Sequence, residues 1–251
     1  MKKILLINLI LIGSVGFAIG TARAQTRIKA KFLESDNLLA KAAYIYDINN
    51  ERVIWSKNGE AQLPLASLAK LMTVFAGTRE NVTDERTACI TLTTSSNELA
   101  EQIGGKLSLG IDTLNSHAKE LGLWQTFYLN ATGLDVNSTL AGAYGSARDV
   151  AHLVSTFYRQ YPGNLECTAN ENIEVLGKIT PNTNEDVGMT IGVLGSKTGF
   201  TDLAGGNLTI IFDSEINHPI IIVVMGSTID GRFEDVRSLI RATFRFMEGG
   251  I

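Results

Sequence analysis

The chain has 251 residues, 45% of them hydrophobic and 19% charged, which suits one substantial core and excludes a disordered or fibrous protein. Its formal charge is −4 and no run of Lys and Arg supplies a local basic face. No nucleic-acid partner is expected.

The chain opens with Met1-Lys2-Lys3, an apolar run over residues 4–19, and Ala22-Arg23-Ala24. A basic start, an apolar segment and an A-x-A site are the parts of a secretory signal. This reading sets a signal peptide at 1–24 and one domain at 25–251, exported to the periplasmic or extracytoplasmic cell-wall space. The alternative is an uncleaved anchor, because the run is close to the minimum that spans a bilayer; only then is a membrane involved. An oxidising compartment allows Cys89 and Cys167 to pair, but two thiols far apart in sequence do not imply a bond. Two buried, unpaired cysteines are expected. Neither the cysteines nor His117, His152 and His218 have metal-ligand spacing, so neither a metal nor a cofactor is expected.

After a polar stretch over 25–41, residues 42–47 and 52–56 are rich in Val, Ile, Tyr and Trp around Asn49-Asn50, which predicts a β-hairpin. From Pro64 to about Gln160 the apolar spacing is helical, with Leu68, Leu71, Met72 and Phe75 on one face and Val150, Leu153, Val154 and Phe157 on another. Strand character returns after Gly195, with strands at 203–212 and 220–225 separated by Asn217-His218-Pro219; the second is too apolar to be exposed. A last helix over 232–247 follows Asp230-Gly231 and places Phe233, Val236, Ile240, Phe244 and Met247 on one stripe. This order predicts an α+β fold, its antiparallel sheet built from both chain ends and flanked by helices, with a helical insert.

Ser67-Leu68-Ala69-Lys70 stands at the start of the first long helix, behind Pro64. A spacing of three puts both side chains on one face, where Lys70 can take the Ser67 proton, provided that burial or a nearby cation keeps the amine neutral. Alone the signal is weak, since S-x-x-K arises about once by chance in such a chain. Ser116-His117-Ala118-Lys119 repeats the spacing within a polar helical stretch and reads as a solvated face. Ser95-Ser96-Asn97 offers a hydroxyl to relay a proton and an amide to hold a peptide, although S-x-N also suits a turn or cap. Lys197-Thr198-Gly199, placed just before the 203–212 strand, is the most informative element: Lys and Thr can bind a carboxylate, and Gly admits another backbone. Gly195-Ser196-Lys197-Thr198 is not a phosphate loop, because Ser196 breaks the required Gly-Lys-Thr adjacency.

S-x-x-K, S-x-N and K-T-G in this order resemble penicillin-binding proteins and class A β-lactamases. The stretches 65–73 and 197–205, with Asn130-Ala131-Thr132-Gly133-Leu134-Asp135 and Arg232-Phe233-Glu234-Asp235, are similar to the D-alanyl-D-alanine carboxypeptidases over about residues 42–246. The resemblance implies a β-lactamase/transpeptidase-like fold, peptidoglycan stem peptides as substrates and β-lactams as covalent inhibitors. It implies that Ser67 is acylated, Lys70 is its base, Ser95 relays a proton, Asn97 positions the peptide, and Lys197 and Thr198, beside Gly199, hold the terminal carboxylate. The N–H groups of Ser67 and Phe200 would form the oxyanion hole. In two respects the chain departs from the family: the segment between Lys70 and Ser95 is short, and no accessory β-domain or amphipathic anchor is expected after residues 247–251. A D,D-endopeptidase is the nearest alternative. A β-lactamase lacks support because neither Glu166 nor Glu174 lies in an E-x-x-L-N element; a non-catalytic wall-binding module would not need the intact Ser67, Lys70, Ser95 and Lys197.

Overall fold

A computed structural model of the chain describes residues 38–249; the expected signal peptide lies outside them. Strands β1 (Ala42–Asp47) and β2 (Arg52–Lys57) form the expected hairpin. β8 (Val193–Thr201), β9 (Gly205–Asp213) and β10 (Pro219–Ser227) complete a five-stranded antiparallel sheet in the order β2-β1-β10-β9-β8. Both chain ends thus build one sheet, joined where Ala42 pairs with Met225 and Asp47 with Ile220. In β10, Ile221, Val223 and Met225 join the main core, while the alternate Ile220, Ile222 and Val224 are buried on the other face. A strand buried on both sides has no polar face, which accounts for its continuous apolar run.

The helices are α1 (Ala69–Arg79), α2 (Glu85–Thr93), α3 (Asn97–Lys106), α4 (Ile111–Glu120), α5 (Ala147–Gln160), the short α6 (Gly163–Glu166) and α7 (Gly231–Met247). α5 and α7 both pack on β10, and α7 lays Phe233, Val236 and Ile240 inward as the stripe requires. N-caps define several starts: Asp84 accepts from Thr87 N at 2.8 Å, Ser96 from Leu99 N at 3.2 Å, and Ser146 from Asp149 N at 3.1 Å.

The structure corrects several expectations. α1 has no single apolar face: every residue from Ala69 to Gly77 is buried, because α2, α3, α4 and α5 surround it. Such a helix is apolar all round, which makes Lys70 and Thr73 conspicuous within it. The helical block is interrupted by a small sheet of β3 (Leu63–Pro64), β5 (Ala143–Gly145) and β4 (Phe127–Tyr128). A hairpin of β6 (Asn172–Val175) and β7 (Lys178–Pro181) was not anticipated. Lys197-Thr198-Gly199 precedes the expected strand, β9, but itself lies inside an unanticipated strand, β8, at the sheet edge.

Cys89 and Cys167 are bonded, contrary to the expectation of free thiols. α2 packs against α6 and the one-turn 3₁₀ helix Cys167–Ala169 that follows it, bringing the two Cα atoms to 5.8 Å, within the span of a disulfide. Sequence distance carries no information about that approach.

Candidate active site

Ser67 sits on a 3₁₀ turn, Ala66–Leu68, which runs into α1. Ala66 adopts φ +47°, a left-handed conformation that costs roughly 1–3 kcal/mol and persists only where its surroundings hold it. They do so from three sides. Leu65 N donates to Ala143 O at 3.0 Å. The fully buried Asn207 donates Nδ2 to the carbonyls of Pro64 and Leu65, each at 3.0 Å, and accepts from Gly226 N at 2.8 Å. Gly133, at φ +77°, approaches so closely that a Cβ there would stand 1.8 Å from Ala66 O.

Lys70 Nζ lies 2.8 Å from Ser67 Oγ and donates to Thr132 O at 2.8 Å. The second bond depends on the 130–135 loop, which Asn130 folds by accepting from the N–H groups of Thr132 and Gly133. Thr73 Oγ1 donates to Ala131 O at 2.7 Å and ties the same loop to α1. Burial lowers the Lys70 ammonium from 10.5 to about 8, against the opposing pull of Glu101. A substantial neutral fraction therefore exists near neutrality, and a neutral amine beside a hydroxyl can accept its proton.

A second pair faces the first. Lys197 Nζ donates to Ser95 Oγ and to Thr198 O, each at 2.8 Å. Ser95 adopts φ +57° in the link between α2 and α3. Burial holds Lys197 well below its ordinary value, and the Lys70 and Arg232 cations push the same way. Thr198 Oγ1 donates to Thr183 Oγ1 at 2.7 Å, and Arg232 Nη1 donates to Gly199 O at 3.0 Å. A Cβ at Gly199 would lie 3.1 Å from both Leu65 O and Ser67 N, so only glycine lets β8 run this close to the Ser67 turn.

The structure thus brings Ser67, Lys70, Ser95, Lys197, Thr198 and Gly199 into one cluster. Asn97 is exposed as the first residue of α3, and Phe200 is exposed just beyond Gly199 on β8. Ser116 and Lys119 are exposed on α4, as expected of a solvated face. Thr183 and Asn207 escaped the sequence reading, since a single Thr or Asn outside a motif carries no signal; Thr132 and Arg232 were visible only as parts of family-like stretches.

Known proteins resemble the chain in sequence and in fold. The crystal structure of penicillin-binding protein D2 from Listeria monocytogenes in its cefotaxime-bound form superposes with a TM-score of 0.75 at 28% identity, covering 83% of this chain and 98% of that one. D-alanyl-D-alanine carboxypeptidase DacA of Haemophilus influenzae is 31% identical over 161 residues, 61% of this chain and 40% of its own length. A D-alanyl-D-alanine endopeptidase of Escherichia coli is 29% identical over 226 residues, 73% of this chain and 70% of its own. The chain spans 36% to 40% of the length of the carboxypeptidases DacA that it matches. The family model for peptidase S11, D-alanyl-D-alanine carboxypeptidase, matches residues 79–228, more than half of the chain, and with the shared fold this establishes that the chain belongs to that family.

Proposed function

We propose that the protein is a serine D,D-carboxypeptidase that removes the terminal D-Ala from peptidoglycan stem peptides through a Ser67 acyl-enzyme. One observation carries the reading: Ser67 and Lys70 are 2.8 Å apart, and Ser95 and Lys197 form an equally close pair on the same cluster. Lys70 takes the Ser67 proton as Oγ attacks the penultimate D-Ala carbonyl. The developing oxyanion is received by the N–H groups of Ser67 and Phe200. Ser95 passes a proton to the departing D-Ala nitrogen, the C–N bond breaks, and water then hydrolyses the ester. Asn97 orients the peptide backbone, and Lys197 and Thr198, with Gly199 giving room, hold the free carboxylate. β-Lactams would acylate Ser67 by the same route, as the cefotaxime- and ampicillin-bound structures of the Listeria relative suggest.

Residues 1–24 would direct export and 25–251 would form the catalytic domain, acting in the cell-wall space. Among the described residues no helix is long and apolar enough to cross a membrane.

A second reading has its own support: the matches span 70% and 74% of the D-alanyl-D-alanine endopeptidases of Escherichia coli and Pseudomonas aeruginosa, against 36% to 62% of the carboxypeptidases DacA, DacC, DacD and DacF. Both reactions share the acyl-enzyme and differ in what leaves. Incubation with a stem pentapeptide and, separately, with a cross-linked dimer tests the choice. Free D-Ala and a tetrapeptide, formed faster than the dimer is cut, are expected, because a short 71–94 segment leaves the ester open to water. Faster dimer cleavage would make this an endopeptidase, and a dominant cross-linked product a transpeptidase.

A further inference from the structure

We propose that the Cys89–Cys167 disulfide is a positioning element of the acylation site, locking the segment that carries Ser95 to the turn that holds the Lys197 strand. The inference rests on the roles given above to Ser67, Lys70, Ser95 and Lys197.

Two chains of contact meet at the bond. On one side Cys89 lies in α2, which ends at Thr93, and Ser95 follows in a left-handed link with no regular structure of its own. On the other side Cys167 adjoins Thr168, which is wholly buried. Thr168 Oγ1 accepts from Ser196 N at 2.8 Å, and Thr168 O accepts from Ser196 Oγ at 3.2 Å and from Asn182 Nδ2 at 2.8 Å. Ser196 is the residue before Lys197. The disulfide therefore closes a ring: Cys89, α2, Ser95, Lys197, Ser196, Thr168, Cys167. Within that ring the Ser95–Lys197 link is a single hydrogen bond. Thr93 O, which accepts from Thr183 N at 3.1 Å, is the nearest non-covalent support on the α2 side.

The Ser67–Lys70 pair is built differently. It is held by α1, Asn207 and the 130–135 loop, none of which contains either cysteine or hydrogen-bonds to Ser95, Thr168 or Ser196. Loss of the bond should therefore loosen the second pair and spare the first. Ser95 can relay a proton only while its hydroxyl stays aimed at the reacting atoms, and displacements near 1 Å are enough to cost about 100-fold in rate.

The test is a double-mutant cycle on the rate constant for acylation of the full chain by a fluorescent penicillin. It compares wild type, Cys89→Ala/Cys167→Ala, Ser95→Ala and the triple variant, with folding checked by far-UV circular dichroism. We expect the cysteine variant to be folded and at least tenfold slower, and the triple variant to be no slower than Ser95→Ala alone, since both changes remove the same function. Leu239→Ala, a buried change in α7, serves as a control for general destabilisation and should combine independently with Ser95→Ala. If the cysteine variant does not fold, wild type reduced with a phosphine and still folded replaces it. Wild-type rates without the disulfide, or losses that multiply independently with Ser95→Ala, would overturn the inference while leaving the proposed function standing. A wild-type chain that takes no label at Ser67 overturns the proposed function, and this inference with it.

Discussion

Lys197 Nζ and Ser95 Oγ meet at 2.8 Å across 102 residues of chain, and the lysine that makes this contact is almost completely buried beside two other cations. Such a group is costly to keep: its ammonium is stripped of water and repelled by Lys70 and Arg232. A site that holds it has given up stability for chemistry.

That trade is measurable. Lys197→Met preserves the length of the side chain and removes the buried amine. It should unfold in urea with a free energy about 1 kcal/mol above wild type while losing acylation by penicillin almost entirely. A variant less stable than wild type, or one that still acylates at more than a few per cent of its rate, contradicts this account.

The depressed ionisation of Lys70 sets a pH profile. A general base works in its neutral form, and below about 8 the neutral fraction of Lys70 rises with pH. Acylation should thus climb about tenfold from pH 6 to pH 7 and level off above about 8 to 9. Lys70→Arg, which cannot shed its proton in this range, should be inactive at every pH. Stopped-flow acylation in matched buffers checks both; a flat profile from pH 6 to 9 would remove Lys70 from the role of base.

Gly199 is where β8 and the Ser67 turn come closest. In Gly199→Ala the new Cβ, 3.1 Å from Leu65 O and Ser67 N, must push the strand off the turn by a few tenths of an ångström. We expect a 10- to 100-fold fall in acylation rate with a loss of stability of about 1–2 kcal/mol. Equal rates for variant and wild type would show that the approach is not needed for positioning.

The disulfide also acts on stability. It closes a loop of 78 residues, and reduction should lower the unfolding free energy by about 2–4 kcal/mol, chiefly by freeing the unfolded chain. Urea titrations with and without reductant measure the difference, and coincident curves would mean that the bond constrains little.

Gly133→Ala probes the other wall of the Ser67 turn. Its φ of +77° and the 1.8 Å approach to Ala66 O leave no place for a methyl group, so the 130–135 loop must move and withdraw the Thr132 carbonyl from Lys70. A loss of about 2–4 kcal/mol in stability is expected, together with slower acylation. A fully stable, fully active variant would show that the loop does not hold the base.

By itself the sequence determined whatever depends on near neighbours in the chain. The hairpin at Asn49-Asn50, the terminal helix with Phe233, Val236 and Ile240 inward, and the apolar β10 all follow from periodicity and turn residues, and Ser67 and Lys70 face each other because three residues make nearly one helical turn. The pairing of Cys89 with Cys167, the partnership of Thr183 with Thr198, the hold of Asn207 on the Ser67 turn and the meeting of Lys197 with Ser95 were decided only in the tertiary structure. Each joins residues from separate elements, whose approach is set by how those elements pack together, and no local preference of a Thr, Asn or Cys encodes that packing.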